Sequence, residues 1–261
     1  MKRTVPIELL LALAVGLMAC TGGGSPPATA TAPSQVRVTT RPTATPSPSA
    51  NFRILAISAR DGTALVGAYY PAEPAPAPGV LLLHMAGSQK ESWAPFATRL
   101  QEAGYAALAL DLRGHGESGG ESEWAAMPDD VAEAWAALIA QPEVDAHPGA
   151  IVGAGVGANL ALIAAADEPT VLAAALLSPE LEEWGLEIEE AMVAYGERPI
   201  LIVASQDDLP AAESAQRLAE MARGSPALAL YPGAGHGTDI FGSQPDLANL
   251  ILSWLRTHLS S

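Results

Sequence analysis

The sequence predicts an α/β domain: a mostly parallel, eight-stranded sheet with helices on both faces. Three observations carry this. Short aliphatic runs recur through residues 52–259, and most are separated by stretches with helical spacing. Some of these runs are apolar throughout, such as Val80–Leu83, as in strands buried on both faces. Finally, 49% of the 261 residues are hydrophobic and 16% are charged, enough for one sizeable core. That core is aliphatic, because aromatic residues make up only 5% of the chain.

The elements follow in order. Phe52–Ile57 alternates and meets the turn signal Asp61-Gly62, and Leu65–Tyr70 returns, which predicts a hairpin at a sheet edge. After a Pro-rich loop, Val80–Leu83 is the next strand. Ser92–Ala103 is a helix stopped by Gly104, and Tyr105–Leu110 is a strand. Pro128–Ala140 is a helix with Asp129 and Asp130 in its first turn, where negative charge suits the dipole. Ile151-Val152 closes a strand and Asn159–Ala166 is helical. Strands at Val171–Leu177, Pro199–Ala204 and Ala227–Tyr231 complete the sheet, with helices at Ala211–Arg223 and Pro245–Leu259. The one sizeable insertion, residues 180–196, is rich in glutamate and predicts a short helix with a solvated face over the top of the sheet. No linker interrupts residues 52–259, so residues 51–261 form one domain.

The formal net charge of −16 sets this chain against nucleic acid and anionic headgroups. Its single cysteine excludes an intrachain disulfide and a cysteine-rich zinc site, and neither a metal nor a redox cofactor has support in the sequence. Residues 1–19 read as a signal peptide, with Lys2 and Arg3 ahead of a short apolar run. Leu17-Met18-Ala19-Cys20 resembles a bacterial lipobox, which implies lipidation at Cys20 and a protein exported and anchored to the membrane's extracytoplasmic face. The plainer alternative is an ordinary secreted chain. Residues 20–50 are almost all Thr, Pro, Ser, Ala and Gly and read as a disordered tether.

In sheets of this kind, sites gather beyond the carboxyl ends of the strands. There the chain carries His84-Met85-Ala86-Gly87, then Asp111-Leu112-Arg113-Gly114-His115-Gly116-Glu117-Ser118, then Gly153-Ala154-Gly155-Val156-Gly157, then Asp207-Asp208, and last Pro232-Gly233-Ala234-Gly235-His236-Gly237. Taken in this order, the motifs resemble the α/β-hydrolase family, in its branch of small esterases and dienelactone-hydrolase-like proteins, without a large cap. The resemblance spans Phe52 to Leu259. It implies an oxyanion loop at His84–Gly87 with backbone donors at Met85 and Val156, a general base at His236 and an acid at Asp207, with Asp208 as the alternative. The nucleophile elbow Gly-x-Ser-x-Gly falls on Gly153–Gly157, and its serine position is Gly155, which has no side chain to attack with.

Three readings follow. The chain is a hydrolase scaffold without its nucleophile, acting weakly or binding ester-like or apolar small ligands. Or it is a working ester hydrolase that uses activated water, or a displaced serine among Ser88, Ser178 and Ser205, or a serine masked by a sequence change. Or it is a cell-surface interaction module. Asp111, Arg113 and His115 read as a polar lock on their turn, Ser118 as a turn residue and His84 as a loop brace.

Overall fold

The computed structural model describes residues 51–259. The lipobox with Cys20 and the Thr/Pro/Ser-rich stretch lie outside the described residues. Ten strands occur among them: β1 (Arg53–Ser58), β2 (Ala64–Tyr70), β3 (Ala77–Leu83), β4 (Ala106–Asp111), β5 (Val144–Ala154), β6 (Val171–Leu177), β7 (Glu182–Glu183), β8 (Leu186–Glu187), β9 (Ile200–Ser205) and β10 (Ala227–Tyr231). The helices are α1 (Ala94–Glu102), α2 (Met127–Ile139), α3 (Val156–Asp167), α4 (Glu189–Tyr195), α5 (Leu209–Met221), α6 (Ile240–Ser243) and α7 (Leu247–Leu259).

Eight strands form one sheet in the order β1-β2-β4-β3-β5-β6-β9-β10. The pairs β1/β2 and β2/β4 are antiparallel and every other neighbouring pair is parallel. The eight strands expected from the sequence are therefore all present, with the hairpin at the edge. The insertion differs from expectation. It contains a helix, α4, and ahead of it a separate two-stranded hairpin of β7 and β8. Its central residues, Trp184 (φ 55°) and Gly185 (φ 81°), both take the left-handed backbone that lets a two-residue turn follow strand twist. Strands of two residues, three of the four positions being glutamate, carry no readable period.

The pleat divides the core in two. Along β3, Leu81 and Leu83 point to one face and Val80 and Leu82 to the other, and all four are fully buried. The first face packs against α2 and α3 through Val131, Trp135, Leu160 and Leu162. The second packs against α1 and α7 through Phe96, Leu100, Ile251 and Leu255. Both faces being covered explains why the parallel strands read as unbroken apolar runs.

Candidate active site

The strand-four turn is locked by buried charge. Asp111, fully buried at the end of β4, accepts hydrogen bonds from the backbone N–H groups of Lys90 and Glu117 and from Lys90 Nζ at 2.7 Å. Burial alone would lower the pKa of Lys90, but the carboxylates of Asp111, Glu117 and Glu91 outweigh it and hold the ammonium charged. Arg113 forms a two-pronged pair with Asp130, both bonds 2.7 Å. Ser118 donates to the Asp111 carbonyl and accepts from Val66 N–H, and His115 Nδ1 sits 2.9 Å from the Arg113 carbonyl. The lock expected on this turn is thus present, with Lys90 as its unforeseen cation.

His84 braces the neighbouring loop. Leu112 N–H donates to its Nε2 at 3.0 Å, so the ring proton sits on Nδ1, which donates to the Met85 carbonyl at 2.9 Å. Burial pulls its pKa down to about 4, with the nearby charge of His115 adding to that and the Met85 carbonyl opposing, so the ring stays neutral near pH 7. The Met85 peptide is thereby fixed beside the end of β5.

There β5 turns sharply into α3 at Gly155, whose φ of 53° and ψ of −129° are strained for a residue with a side chain. The helix start lies tight on the sheet. A Cβ on Gly157 would fall 2.4 Å from the Leu83 carbonyl oxygen, and one on Gly153 2.0 Å from the Gly157 oxygen. The elbow glycines thus have the close helix–strand packing role expected of them. Val156 opens α3, so its N–H belongs to the set that has no partner within the helix.

His236 is the side chain that meets this elbow. Its Nε2 lies 2.9 Å from where a Cβ on Gly155 would sit, and Met85 Cβ lies 2.9 Å from the same point. Both lie against the position that a side chain at 155 would occupy.

The carboxylate that pairs with His236 is Asp208 and not Asp207, the residue favoured from the sequence. Asp208 Oδ2 is 2.7 Å from His236 Nδ1. Asp207 is exposed and accepts instead from Gly233 N–H. The physical reason is that β9 runs one residue beyond Ala204, to Ser205, which moves the loop on by one position. Asp208 is also the N-cap residue of α5, yet its side chain makes no capping bond. A carboxylate that would ordinarily satisfy the helix N–H groups is committed to the histidine.

Two of the three serines considered as displaced nucleophiles prove to be clips on the histidine loop. Ser205 Oγ accepts from Ala234 N–H at 2.9 Å, and Ser178 Oγ accepts from Gly237 N–H at 2.9 Å. They hold the loop on either side of His236. Both are buried, and sequence gave no sign of this use beyond their placement at strand ends.

The fold has known counterparts. The family model described as serine aminopeptidase, S33, matches residues 74–196, a stretch that includes the elbow and stops before Asp208 and His236. No curated protein sequence matches the chain. Among solved structures, the chain is similar to a dienelactone hydrolase from Anabaena variabilis, with 22% identity, a TM-score of 0.66, and 80% of this chain and 99% of that one covered. It is also similar to the esterase Pf2001 of Pyrococcus furiosus, at 17% identity and a TM-score of 0.70 over 80% of this chain and 94% of that one. Est1E from Butyrivibrio proteoclasticus, with ferulic acid bound, matches at 18% identity and a TM-score of 0.66 over 79% of this chain and all (100%) of that one.

The chain has the α/β-hydrolase fold.

Over the top of this hydrolase fold stands the β7–β8 hairpin. Trp184, 59% exposed at its tip, stacks on Trp124 with ring centroids 5.4 Å apart and planes 21° apart, and Trp124 in turn meets His115. Glu183, beside Trp184, has a buried Oε2 with no partner. Burial, and next the charge of Glu180, push its carboxyl up to about 7, with Asp208 adding to the effect and His236 opposing it. This part of the insertion is therefore an electrostatic neighbour of the His236–Asp208 pair rather than a solvated surface.

The sign of the pH effect follows. Unfolded, Glu183 titrates near the ordinary glutamate value of 4.5, and folded near 7, so the folded chain holds the proton more tightly. Stability is therefore lost through this group as pH rises across that window. Glu183→Gln removes the penalty. Allowing for solvent screening of a partly exposed carboxyl, urea unfolding is expected to show the variant gaining roughly 1–2 kcal/mol on the parent between pH 4.5 and 7.5. A pH-independent difference would show the carboxyl to be solvated.

Proposed function

We propose that this protein is an exported, lipid-anchored member of the hydrolase fold whose ester-cleaving site has lost its acyl-accepting residue. It holds ester-like small molecules at that site and hydrolyses them weakly or not at all. The observation that carries the reading is the His236–Asp208 pair facing a strand-to-helix elbow whose apex is Gly155. A base oriented by a carboxylate is the proton-transfer half of a serine-hydrolase triad. The backbone N–H groups of Met85 and Val156 are the donors for a developing oxyanion, and neither depends on a side chain at position 155. Covalent catalysis by acyl transfer needs a nucleophile at the apex, and glycine supplies none.

The test is labelling with a fluorophosphonate alongside turnover of a panel of short acyl esters, using the native chain. The expected result is no labelled residue, with any turnover abolished by His236→Ala. Stoichiometric labelling of Ser88 or another serine would replace this reading with an active enzyme carrying a displaced nucleophile.

A further inference from the structure

A cleft of about 340 Å³ lies between α1, α6 and α7, lined by Pro95, Phe96, Thr238, Phe241, Pro245 and Ala248, with Ser92 and Arg99 at its polar edge. Arg99 is engaged by the Asn249 carboxamide, which leaves the apolar lining to set what the cleft accepts. Its aromatic content is unusual for a chain so poor in aromatics. The Phe96 and Phe241 rings lie 5.2 Å apart at 30°, and Trp93, fully buried, packs on both at 6.1 and 5.9 Å.

One flexible side chain, Met85, reaches from the elbow to a residue of the cleft lining. Met85 Cβ abuts the point where a Cβ on Gly155 would lie. Its thioether reaches the other way: Sδ lies 3.9 Å from the hydroxyl of Thr238, a lining residue, and 2.7 Å from where a Cβ on Gly237 would be. A methionine is unbranched and repacks at low cost, so it can separate the two spaces or yield to a ligand that spans them.

We propose that this cleft is the acyl subsite of the elbow, that it takes an aryl-bearing acyl group such as a phenylpropanoyl chain, and that Met85 is the side chain that gives way to admit it. The use of the cleft for an acyl group rests on the reading of the elbow given under Proposed function. The size fits, since a cavity of about 150 Å³ already holds benzene, leaving room here for a ring and a short linker. Offset and edge-on contacts with Phe96 and Phe241 favour an aromatic ring over an alkyl chain of equal area.

Binding tests this without requiring turnover. The probes are 4-phenylbutan-2-one, whose ketone stands in for the ester carbonyl, and its cyclohexyl analogue, titrated calorimetrically into the native chain. Tighter binding of the phenyl compound is expected. Ala248→Phe, which fills the cleft, should weaken it at least tenfold, and Phe241→Leu, which keeps apolar volume and removes a ring, should erase the phenyl preference. Met85→Ala should tighten binding. In a Gly155→Ser background, Ala248→Phe should lower the ratio of kcat/KM for a phenylpropanoate ester to that for an acetate ester by at least tenfold. Equal affinity for the two ketones, or affinity untouched by both cleft variants in folded protein, overturns the proposal. Cleft-dependent binding together with an inert Gly155→Ser protein would instead leave the cleft standing as a ligand site and overturn the reading of the elbow.

Discussion

Gly155→Ser is expected to raise hydrolysis of short acyl esters by on the order of 10³-fold or more over the native chain, and to make residue 155 the site of fluorophosphonate labelling. The His236–Asp208 pair and the loop beside the elbow are already in place. What the serine adds is one hydroxyl at the point that His236 Nε2 faces. The gain has a structural cost. A Cβ at 155 would lie 2.9 Å from both His236 Nε2 and Met85 Cβ, closer than such atoms approach. The imidazole is the end of a side chain and can retreat by a few tenths of an ångström, whereas Met85 Cβ is tied to a peptide that His84 holds. The strained backbone at 155 adds about 1–3 kcal/mol for any side chain. Gly155→Ala is therefore the essential control: it should lose comparable stability and gain no activity. If the Ser variant folds, loses no more stability than the Ala variant and still turns over nothing, the donors and base are not arranged for acyl transfer.

Much of this architecture is legible without coordinates, for identifiable reasons. Val80–Leu83, Tyr105–Leu110 and Val171–Leu177 announce parallel strands because both faces of the sheet are covered, so no polar position interrupts them. The elbow is legible because Gly153 and Gly157 answer to close packing whatever stands between them. Other features depend on geometry that composition does not encode. Lys90 lies under 5% exposed, at 3%, although a lone lysine between Gln89 and Glu91 reads as a surface residue; only the meeting of two loops at Asp111 buries it. The glutamates of the insertion read as a solvated helix face, which suits the exposed Glu189 and Glu190 on α4 and not Glu183. Ser178 and Ser205 read as candidate displaced nucleophiles, whereas their partners sit 59 and 29 residues away in the histidine loop.

The choice between Asp207 and Asp208 was the finest distinction and turned on one residue of strand length. In the Gly155→Ser background, Asp208→Asn is expected to lower kcat by on the order of 10³–10⁴-fold, and Asp207→Asn by less than tenfold. The asymmetry follows from what each carboxylate touches. Asp208, with 18% of its side chain exposed, accepts a hydrogen bond from His236 Nδ1–H, which leaves Nε2 free to take a proton from a hydroxyl at position 155. An amide in its place offers the ring a donor as readily as an acceptor, so the histidine can settle in the tautomer that carries its proton on Nε2 and cannot act as a base. Asp207 instead holds Gly233 N–H, three residues ahead of His236, and the loop there is also clipped at Ala234 by Ser205. Losing one of these restraints loosens the loop without changing the ring's tautomer. The two roles separate further in the kinetics. Loss of the Asp208 carboxylate should appear in kcat across the whole pH range. Loss of the Asp207 contact should appear as a modest change in KM and in thermal stability. Equal losses from both variants would show that the two aspartates exchange partners in solution, and a larger loss from Asp207→Asn would return the acid to Asp207, the position the resemblance implies.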